Sequence, residues 1–344
     1  MSAGASVLDQ RPVFRGAGPS VQAYDALLRD ERARQADQVA TLDKLRQRNV
    51  AIQGALADEM AALKGLSNQV RGGEQAEEAG FFGWLKRTFG VGEPAQASAP
   101  SVEALLRQQY EVSQARLAEA AAFADRLAAA ESDLFDEVDR LNGKLVEAAD
   151  NQALAAAHLL AVEGHRDALK ARLREPAVQG DPTARRRLEA ELDRCRRAQA
   201  ESATALKLYD TAGERLERLK ANTVRLAETV AHLRSDIGRY VHAAGERLDL
   251  VAGQIDAVGV AADATVVMLE LEKALEGMSS TLNEATRFVS KTQRYFREHI
   301  DGLIADLDVY DDETRRVLDE NLAFADAADE LQVEAAVREA KRRL

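Results

Sequence analysis

The stretch Pro176-Ala177-Val178-Gln179-Gly180-Asp181-Pro182 is the clearest interruption in a chain that otherwise has helical periodicity over long distances. Its prolines and glycine end one helix, and Asp181 followed by Pro182 is typical of the start of the next, as an N-cap and a first-turn proline. Apolar residues recur at intervals of three and four from 101 to about 174 and again from 182 to about 253. Two long helices joined by so short a loop predict an antiparallel helical hairpin.

The composition also favours long helices. Only 5% of the 344 residues are aromatic, 30% are charged and six are prolines, whereas compact mixed domains carry more aromatic and loop-forming residues. Much of the apolar content is alanine, which fits narrow seams between helices but buries little area per residue. The predicted fold class is therefore all-α, an elongated antiparallel helical bundle or coiled coil of long helices.

The net charge of −12 argues against nucleic acid as a partner, because such binding needs a basic surface that displaces counterions from phosphates. Two local basic runs, at 185–187 and 194–197, are interleaved with or flanked by carboxylates. They are better explained as salt-bridged flanks of a coiled coil. We expect no nucleic-acid partner.

A heptad pattern predicts a first helix over 21–71, ended by Gly72-Gly73. Polar residues interrupt its apolar seam, so the coiled-coil signal is moderate. Asn49 lies on this seam, where it either fixes the register or is solvated on an imperfect amphipathic helix. The two seam positions are occupied by Val21, Leu28, Gln35, Leu42, Asn49, Leu56, Leu63 and Val70, and by Tyr24, Glu31, Gln38, Leu45, Ile52, Glu59 and Leu66.

Composition divides the rest of the chain into segments. Residues 1–20, rich in Gly, Pro and Ser, predict a disordered or loosely docked N-terminus. Residues 72–100 form a linker that contains an aromatic segment at 80–90. Residues 101–305 are predicted to form the hairpin or bundle, and 306–344 an acidic turn followed by a last helix.

Glycines recur at Gly238, Gly245, Gly253 and Gly259, a spacing close to one heptad. Each glycine in a helix costs about 0.5–1 kcal/mol relative to alanine, so the repetition needs a compensating reason. We expect close approach of a neighbouring helix, with a bend near 253–259 as the alternative.

The aromatic segment 80–90 holds the only tryptophan of the chain beside two basic residues. Aromatic and basic residues together are typical of interfacial anchoring, although one short element binds a bilayer weakly and needs oligomerisation or a second signal. The same rings could plug the end of the chain's own helical bundle or dock a partner protein. The residues predicted to make this contact are Phe81, Phe82, Trp84, Leu85, Lys86, Arg87 and Phe89.

Catalytic, cofactor-binding and metal-binding signatures are missing from the sequence, so we expect a non-enzymatic protein without cofactor or metal. The acidic run at 306–313 lacks the spacing and central glycine of a calcium loop, which favours a solvated turn. The histidines show no i,i+4 pair. His158 and His165 could share a helix face, but a structural or exposed role is favoured.

Cys195 is the only cysteine, so no intramolecular disulfide can form, and a reducing compartment is the simplest interpretation. The first twenty residues contain no continuous apolar core of a signal peptide, and no apolar window reaches the length of a membrane span. These features predict a cytoplasmic protein, with membrane association through segment 80–90 left open.

The segment Gly-Phe-Phe-Gly-Trp-Leu-Lys-Arg-Thr-Phe-Gly at 80–90, after a leading helix, resembles the Phe-Leu-Gly…Phe-Gly element of the bacterial TelA-like toxic-anion (tellurite) resistance proteins. Residues 42–49, Leu-Asp-Lys-Leu-Arg-Gln-Arg-Asn, resemble that family's Leu-Asp-x-Leu-x-x-x-Asn run, although here the run precedes the Phe/Gly block. The resemblance covers only these two stretches. It implies an all-helical, cytoplasmic stress-resistance protein and carries over no catalytic residues.

Three functions are compatible with these features. The first is a cytoplasmic scaffold or adaptor that forms a homo-oligomer and uses segment 80–90 to dock a protein partner or a membrane surface. The second is a toxic-anion or stress-resistance component of the TelA-like type. The third is a peripheral protein that remodels membranes.

Overall fold

A computed structural model of the chain describes residues 7–9, 12–16, 18, 20–71, 102–258 and 330–343, and the single positions 273, 294, 316 and 320. The described residues form helices and contain no strand, which confirms the prediction of an all-α helical bundle. A 3-10 turn at Val7–Asp9 precedes the helices. These are α1 (Val21–Arg71), α2 (Val102–Leu173), α3 (Pro176–Gln179), α4 (Pro182–Val258) and α5 (Glu330–Arg343).

The connection between α2 and α4 has the predicted chemistry. The carboxylate of Asp181 accepts hydrogen bonds from the backbone N–H groups of Thr183 at 2.8 Å and Ala184 at 3.2 Å. Pro182 is the first residue of α4, where its missing N–H is not needed. The loop also contains the single turn α3, whose Val178 packs against the hydrophobic cluster of Leu169 and its neighbours.

The described residues belong to two compact units, and each long helix contributes to both. The first unit contains the chain up to Val39, Leu134–Leu226 and α5. The second contains the parts of α1, α2 and α4 that lie within Ala40–Asp133 and Ala227–Asp301. This division cuts across the segments that composition suggests, because it follows the packing partners of each helix half.

In the first unit, α2 and α4 run antiparallel, since His158 pairs with Ser202 while the earlier Gln152 pairs with the later Asp210. α1 is antiparallel to α2 and parallel to α4, because Tyr24 contacts Tyr209 and Gln35 bonds to the carbonyl of Leu219. α5 covers this core through small and β-branched side chains. The main cluster contains Tyr24, Ala155, Ala156, Leu159, Ala203, Ala205, Leu206, Leu208, Tyr209, Ala212, Val333, Val337 and Ala340.

In the second unit, α2 and α4 also run antiparallel. The guanidinium of Arg234 lies 2.9 Å from Glu131, and that of Arg107 lies 2.9 Å from Asp256. Phe123 is fully buried there. Buried residues on α4 follow the spacing of three, four and seven expected of a helix seam: Val230, Leu233, Ile237, Ala244, Leu248, Val251 and Ile255.

The predicted close approach at the α4 glycines is wrong for the described positions. A Cβ placed on Gly238 or Gly253 would meet no described heavy atom within 4 Å, and both residues are exposed. A Cβ on Gly245 would lie 3.5 Å from the Leu117 side chain, an ordinary contact. α4 continues through all three glycines to Val258, so none of them ends the helix. The alternative, a bend near 253–259, stays a prediction. Gly259 lies outside the described residues.

Candidate functional site

The docking residues predicted from the sequence lie outside the described residues, so their contact stays a prediction. The same holds for the acidic run at 306–313. The residues concerned are Phe81, Phe82, Trp84, Leu85, Lys86, Arg87 and Phe89. The described chain offers instead a buried polar layer, a docked N-terminal segment, a groove beside α5 and an exposed apolar helix face, all within the first unit.

The polar layer joins α1 to α2 around Glu31, whose side chain is only 3% exposed. Arg140 forms a two-pronged contact with this carboxylate, with one Nη1 to Oε1 distance of 3.0 Å. Arg140 also donates two hydrogen bonds of 2.6 Å to Glu137 on its own helix. Lys144 Nζ lies 3.6 Å from Glu31. Glu31, one of the polar residues on the seam of α1, is therefore neutralised by Arg140 and Lys144 of α2.

These contacts shift the protonation equilibria of the pair. Burial alone would raise the pKa of Glu31, but the hydrogen bonds and charge of Arg140, with Lys144 and Arg34, outweigh it and lower that pKa. The bonds that Arg140 donates to Glu137 and Glu31 raise the pKa of the guanidinium, which stays charged. Glu31 and Arg140 thus form an ionised pair at neutral pH.

A second polar contact joins α1 to α4. Gln35 Nε2 donates to the backbone carbonyl of Leu219 at 3.1 Å, and the same carbonyl accepts the hydroxyl of Thr223 at 3.0 Å. Asn49, farther along α1, is also buried, so its solvated alternative is wrong. Directional contacts on both hairpin helices fix the axial position of α1 in the first unit, since a shift of one turn would leave buried polar groups unpaired.

An N-terminal segment, residues 12–16, docks against α2. Buried Asn151 accepts a 2.9 Å hydrogen bond from the N–H of Arg15 and donates one of 2.9 Å to its carbonyl. Gly16 has a φ of +62°, a conformation that favours glycine, and a Cβ there would overlap the carboxylate of Glu147. Of the disordered and docked alternatives for 1–20, the described residues correspond to the docked one.

The N-terminal segment covers a pair of buried tyrosines. The ring of Phe14 lies 5.1 Å from that of Tyr209, which meets Tyr24 edge to face at 5.4 Å. Burial and the charge of Glu147 raise the pKa of Tyr209 to about 12, although its hydrogen bond with Tyr24 acts in the opposite direction. Burial, Tyr209 and Glu147 raise the pKa of Tyr24 further. Both phenols stay protonated near neutral pH and serve as hydrogen-bonding core residues.

Two histidines of the first unit, His158 and His165, each have a side-chain partner through one ring nitrogen. His158 Nδ1 lies 2.8 Å from the hydroxyl of Ser202, which itself donates to the carbonyl of Ala198. His165 Nε2 lies 3.1 Å from Glu191. Burial and the charge of Glu191 raise the pKa of the Cys195 thiol, with Arg166 opposing, so this thiol is poorly nucleophilic.

A shallow groove of about 320 Å³ runs between α4 and α5. Its floor is apolar, with Leu206 and Ala336 among its lining residues. Its rim carries Arg343, which donates to Asp210 at 2.7 Å and to Glu339 at 2.9 Å. Because these charges are already paired, the groove presents no free charge from this triad to a ligand.

The solvent side of α2 in the first unit carries apolar and small side chains among four exposed aspartates, Asp136, Asp139, Asp150 and Asp167. Phe135, Val146 and Leu154 are 50%, 63% and 42% exposed. At 100° per residue they lie on one broad side of the helix together with small exposed residues. We call this side of the helix the outward face of α2. Its exposed apolar and small residues are Phe135, Gly143, Val146, Ala149, Ala153, Leu154, Ala157, Ala161, Gly164, Ala168 and Ala171.

The corresponding part of α4 has the opposite character. Its exposed residues are mostly charged: Arg185, Arg186, Arg187, Glu189, Asp193, Arg194, Arg196, Arg197 and Glu201. The exposed side of α4 is therefore mainly charged, whereas that of α2 also carries Phe135, Val146 and Leu154, with Asp139 and Asp150 between them. Sequence reasoning missed this face, although its signal is present as alanines and glycines at three- and four-residue spacing.

Within the described ranges, no group of His, Cys, Asp and Glu side chains is arranged to hold a metal ion. Among the helices that are described, none is both long and apolar enough to cross a membrane.

Compared with protein-family models, curated proteins and solved structures, the chain has no significant match. Its resemblance to the TelA-like toxic-anion resistance proteins accordingly stays a prediction.

Proposed function

We propose that this chain is a non-enzymatic, cytoplasmic helical scaffold or adaptor that self-associates and docks a protein partner or a membrane surface through segment 80–90. The observation that carries the proposal is the outward face of α2, where Phe135 and Val146 are at least half exposed. Exposed apolar patches of this kind mark interaction surfaces in soluble proteins.

The buried polar layer supports the scaffold role. Glu31 and Gln35 hold α1 in one register on the hairpin, because both are buried and each has a partner from another helix. A bundle with a fixed register presents its surface residues at constant spacing, which suits repeated or symmetric docking.

Self-association is tested by light scattering and chemical crosslinking of the full chain at about 1–100 μM, a range in which mass action separates weak oligomers from monomers. We expect the mean mass to rise with concentration to at least that of a dimer. A compact monomer at every concentration would contradict the scaffold proposal.

Docking through segment 80–90 is tested separately with the Trp84→Glu variant. Flotation of the full chain with anionic vesicles, lost in this variant, would identify a membrane surface as the target. Absence of flotation in both proteins would direct the proposal to a protein partner, to be captured by wild type but not by Trp84→Glu.

A further inference from the structure

The outward face of α2 has a pattern of side-chain size that is complementary to itself. Gly143 and Gly164 lie at equal distances on either side of the point between Ala153 and Leu154, and so do Val146 and Ala161. If two such helices cross antiparallel at that point, Val146 meets Ala161 and Phe135 lies beside Ala171, while the two copies of Leu154 meet each other at the crossing point. Helices pack in this way, with the side chains of one in the gaps of the other.

We propose that the occupant of this face is a second copy of the chain, paired antiparallel through α2 about a two-fold axis at Ala153 and Leu154. The proposal rests on the self-association proposed above and specifies its surface and orientation. Gly143 of one copy then faces Gly164 of the second, and Val146 faces Ala161, so the two helix backbones can approach closely.

The charges at the edges of the face favour the same orientation. Asp136 and Arg172 are exposed near its two ends, on the same flank. Antiparallel pairing places Asp136 of each copy beside Arg172 of the other, whereas parallel pairing places Asp136 beside Asp136. Three further exposed carboxylates lie on this side of α2: Asp139, Asp150 and Asp167. Arg15 lies 3.7 Å from Asp150, and Arg166 lies 3.7 Å from Asp167.

The available area fits a modest dimer. From Phe135 to Ala171 the helix is about 55 Å long, and a strip about 10 Å wide gives about 550 Å² per copy, or about 1,100 Å² in total. This is near the lower limit for a specific interface, so we expect a dissociation constant on the order of micromolar. Anionic lipid is a poor alternative occupant, because Asp136, Asp139 and Asp150 would face the headgroups.

The first experiment compares Ala157→Glu, in the centre of the face, with Ala190→Glu, a matched exposed alanine on the charged side of α4. Sedimentation equilibrium should show dimerisation weakened at least tenfold by Ala157→Glu and unchanged by Ala190→Glu. At a protein concentration too low for dimerisation, both variants should keep the circular-dichroism spectrum and melting midpoint of wild type, since both sites are exposed.

The outcomes separate the two proposals. If wild type is monomeric at every concentration, both the proposed self-association and the proposed interface are wrong. A wild-type dimer unaffected by Ala157→Glu would overturn only the interface, and loss of dimerisation in the Ala190→Glu control would do the same by pointing to α4.

The second experiment tests orientation by disulfide trapping, since the only native cysteine, Cys195, is buried. Ala153→Cys should crosslink to itself, because antiparallel pairing brings the two copies of this position together. Gly164→Cys should not, since its two copies would be about 30 Å apart along the axis. A mixture of Gly143→Cys and Gly164→Cys should give the mixed dimer. Self-crosslinking of Gly164→Cys would show a parallel arrangement and overturn the proposal.

Discussion

Replacing Glu31 by glutamine tests whether the buried polar layer stabilises the docking of α1. The substitution keeps the size of the side chain and removes its charge. In the wild type, this carboxylate is 3% exposed and accepts both prongs of the Arg140 guanidinium. In Glu31→Gln, Arg140 keeps its two 2.6 Å bonds to Glu137, so the cation is not left alone.

This geometry sets the expected magnitude. Breaking a buried ion pair costs about 3–5 kcal/mol when the remaining charge has no other partner, and breaking an exposed pair costs about 0–1 kcal/mol. Because Glu137 still compensates Arg140 and Lys144 is partly exposed, Glu31→Gln falls between these limits. We expect the free energy of unfolding to fall by about 2 kcal/mol.

The assay is urea denaturation followed by circular dichroism at one fixed protein concentration. The matched control is Glu189→Gln, which removes an exposed i,i+4 pair with Arg185 on α4 and should change stability by less than about 0.5 kcal/mol. A double-mutant cycle with Arg140→Met should give a coupling energy above about 1 kcal/mol. Equal effects of Glu31→Gln and Glu189→Gln would refute the reasoning.

Three further predictions follow from the first unit and from α4. The pKa of Glu31 is lower in the folded state than in the unfolded state. Its contribution to the free energy of unfolding is therefore complete above the unfolded pKa of about 4.3 and is lost as pH falls through the folded pKa. The free energy of unfolding, measured by urea denaturation at several acidic pH values, should fall more steeply with pH for wild type than for Glu31→Gln. Gly253→Ala should raise stability by about 0.5–1 kcal/mol, since its Cβ meets open space, whereas Gly16→Ala should lower it because of the positive φ and the overlap with Glu147. Asn151→Ala removes both bonds to the Arg15 backbone and should cost about 1–2 kcal/mol while making residues 12–16 more sensitive to limited proteolysis.

Each of these has its own contradicting result. If the free energy of unfolding falls equally with pH in wild type and Glu31→Gln, the Glu31 carboxylate does not have a lowered pKa in the folded protein. Thermal melts in which Gly253→Ala is less stable than wild type would restore the close approach expected from the glycine spacing. Unchanged proteolysis of Asn151→Ala would mean that other contacts hold the N-terminal segment, such as Phe14 on Tyr209 and Arg15 beside Asp150.

The helices and the hairpin connection were predictable because the signals are local. The prolines and the aspartate at 176–182 act within one or two turns of themselves, and the Asp181 cap bonds to residues two and three positions away. The heptad pattern of α1 likewise follows from spacing alone, and it places Leu28 and Leu42 on the buried side, as the structure does.

The tertiary structure decided which polar residues have partners. Glu31 and Arg140 are 109 residues apart, and Gln35 and Leu219 are 184 apart, so spacing along one helix cannot reveal either pair. Glu31 and Gln35, two of the seam residues that weaken the coiled-coil pattern in the sequence, fix the register of α1 in three dimensions. Conversely, the regular α4 glycines suggested a contact that the packing does not make.

The sequence by itself determined that α2 is a long helix with apolar and small residues on more than one side. Only the packing of α1, α4 and α5 decided which side is the core, because periodicity defines the faces of a helix but not which of them a neighbour covers. The physical reason is that burial depends on contacts distant in sequence. The outward face of α2, with Val146 63% exposed, became recognisable as a surface only once the core was assembled on the opposite side.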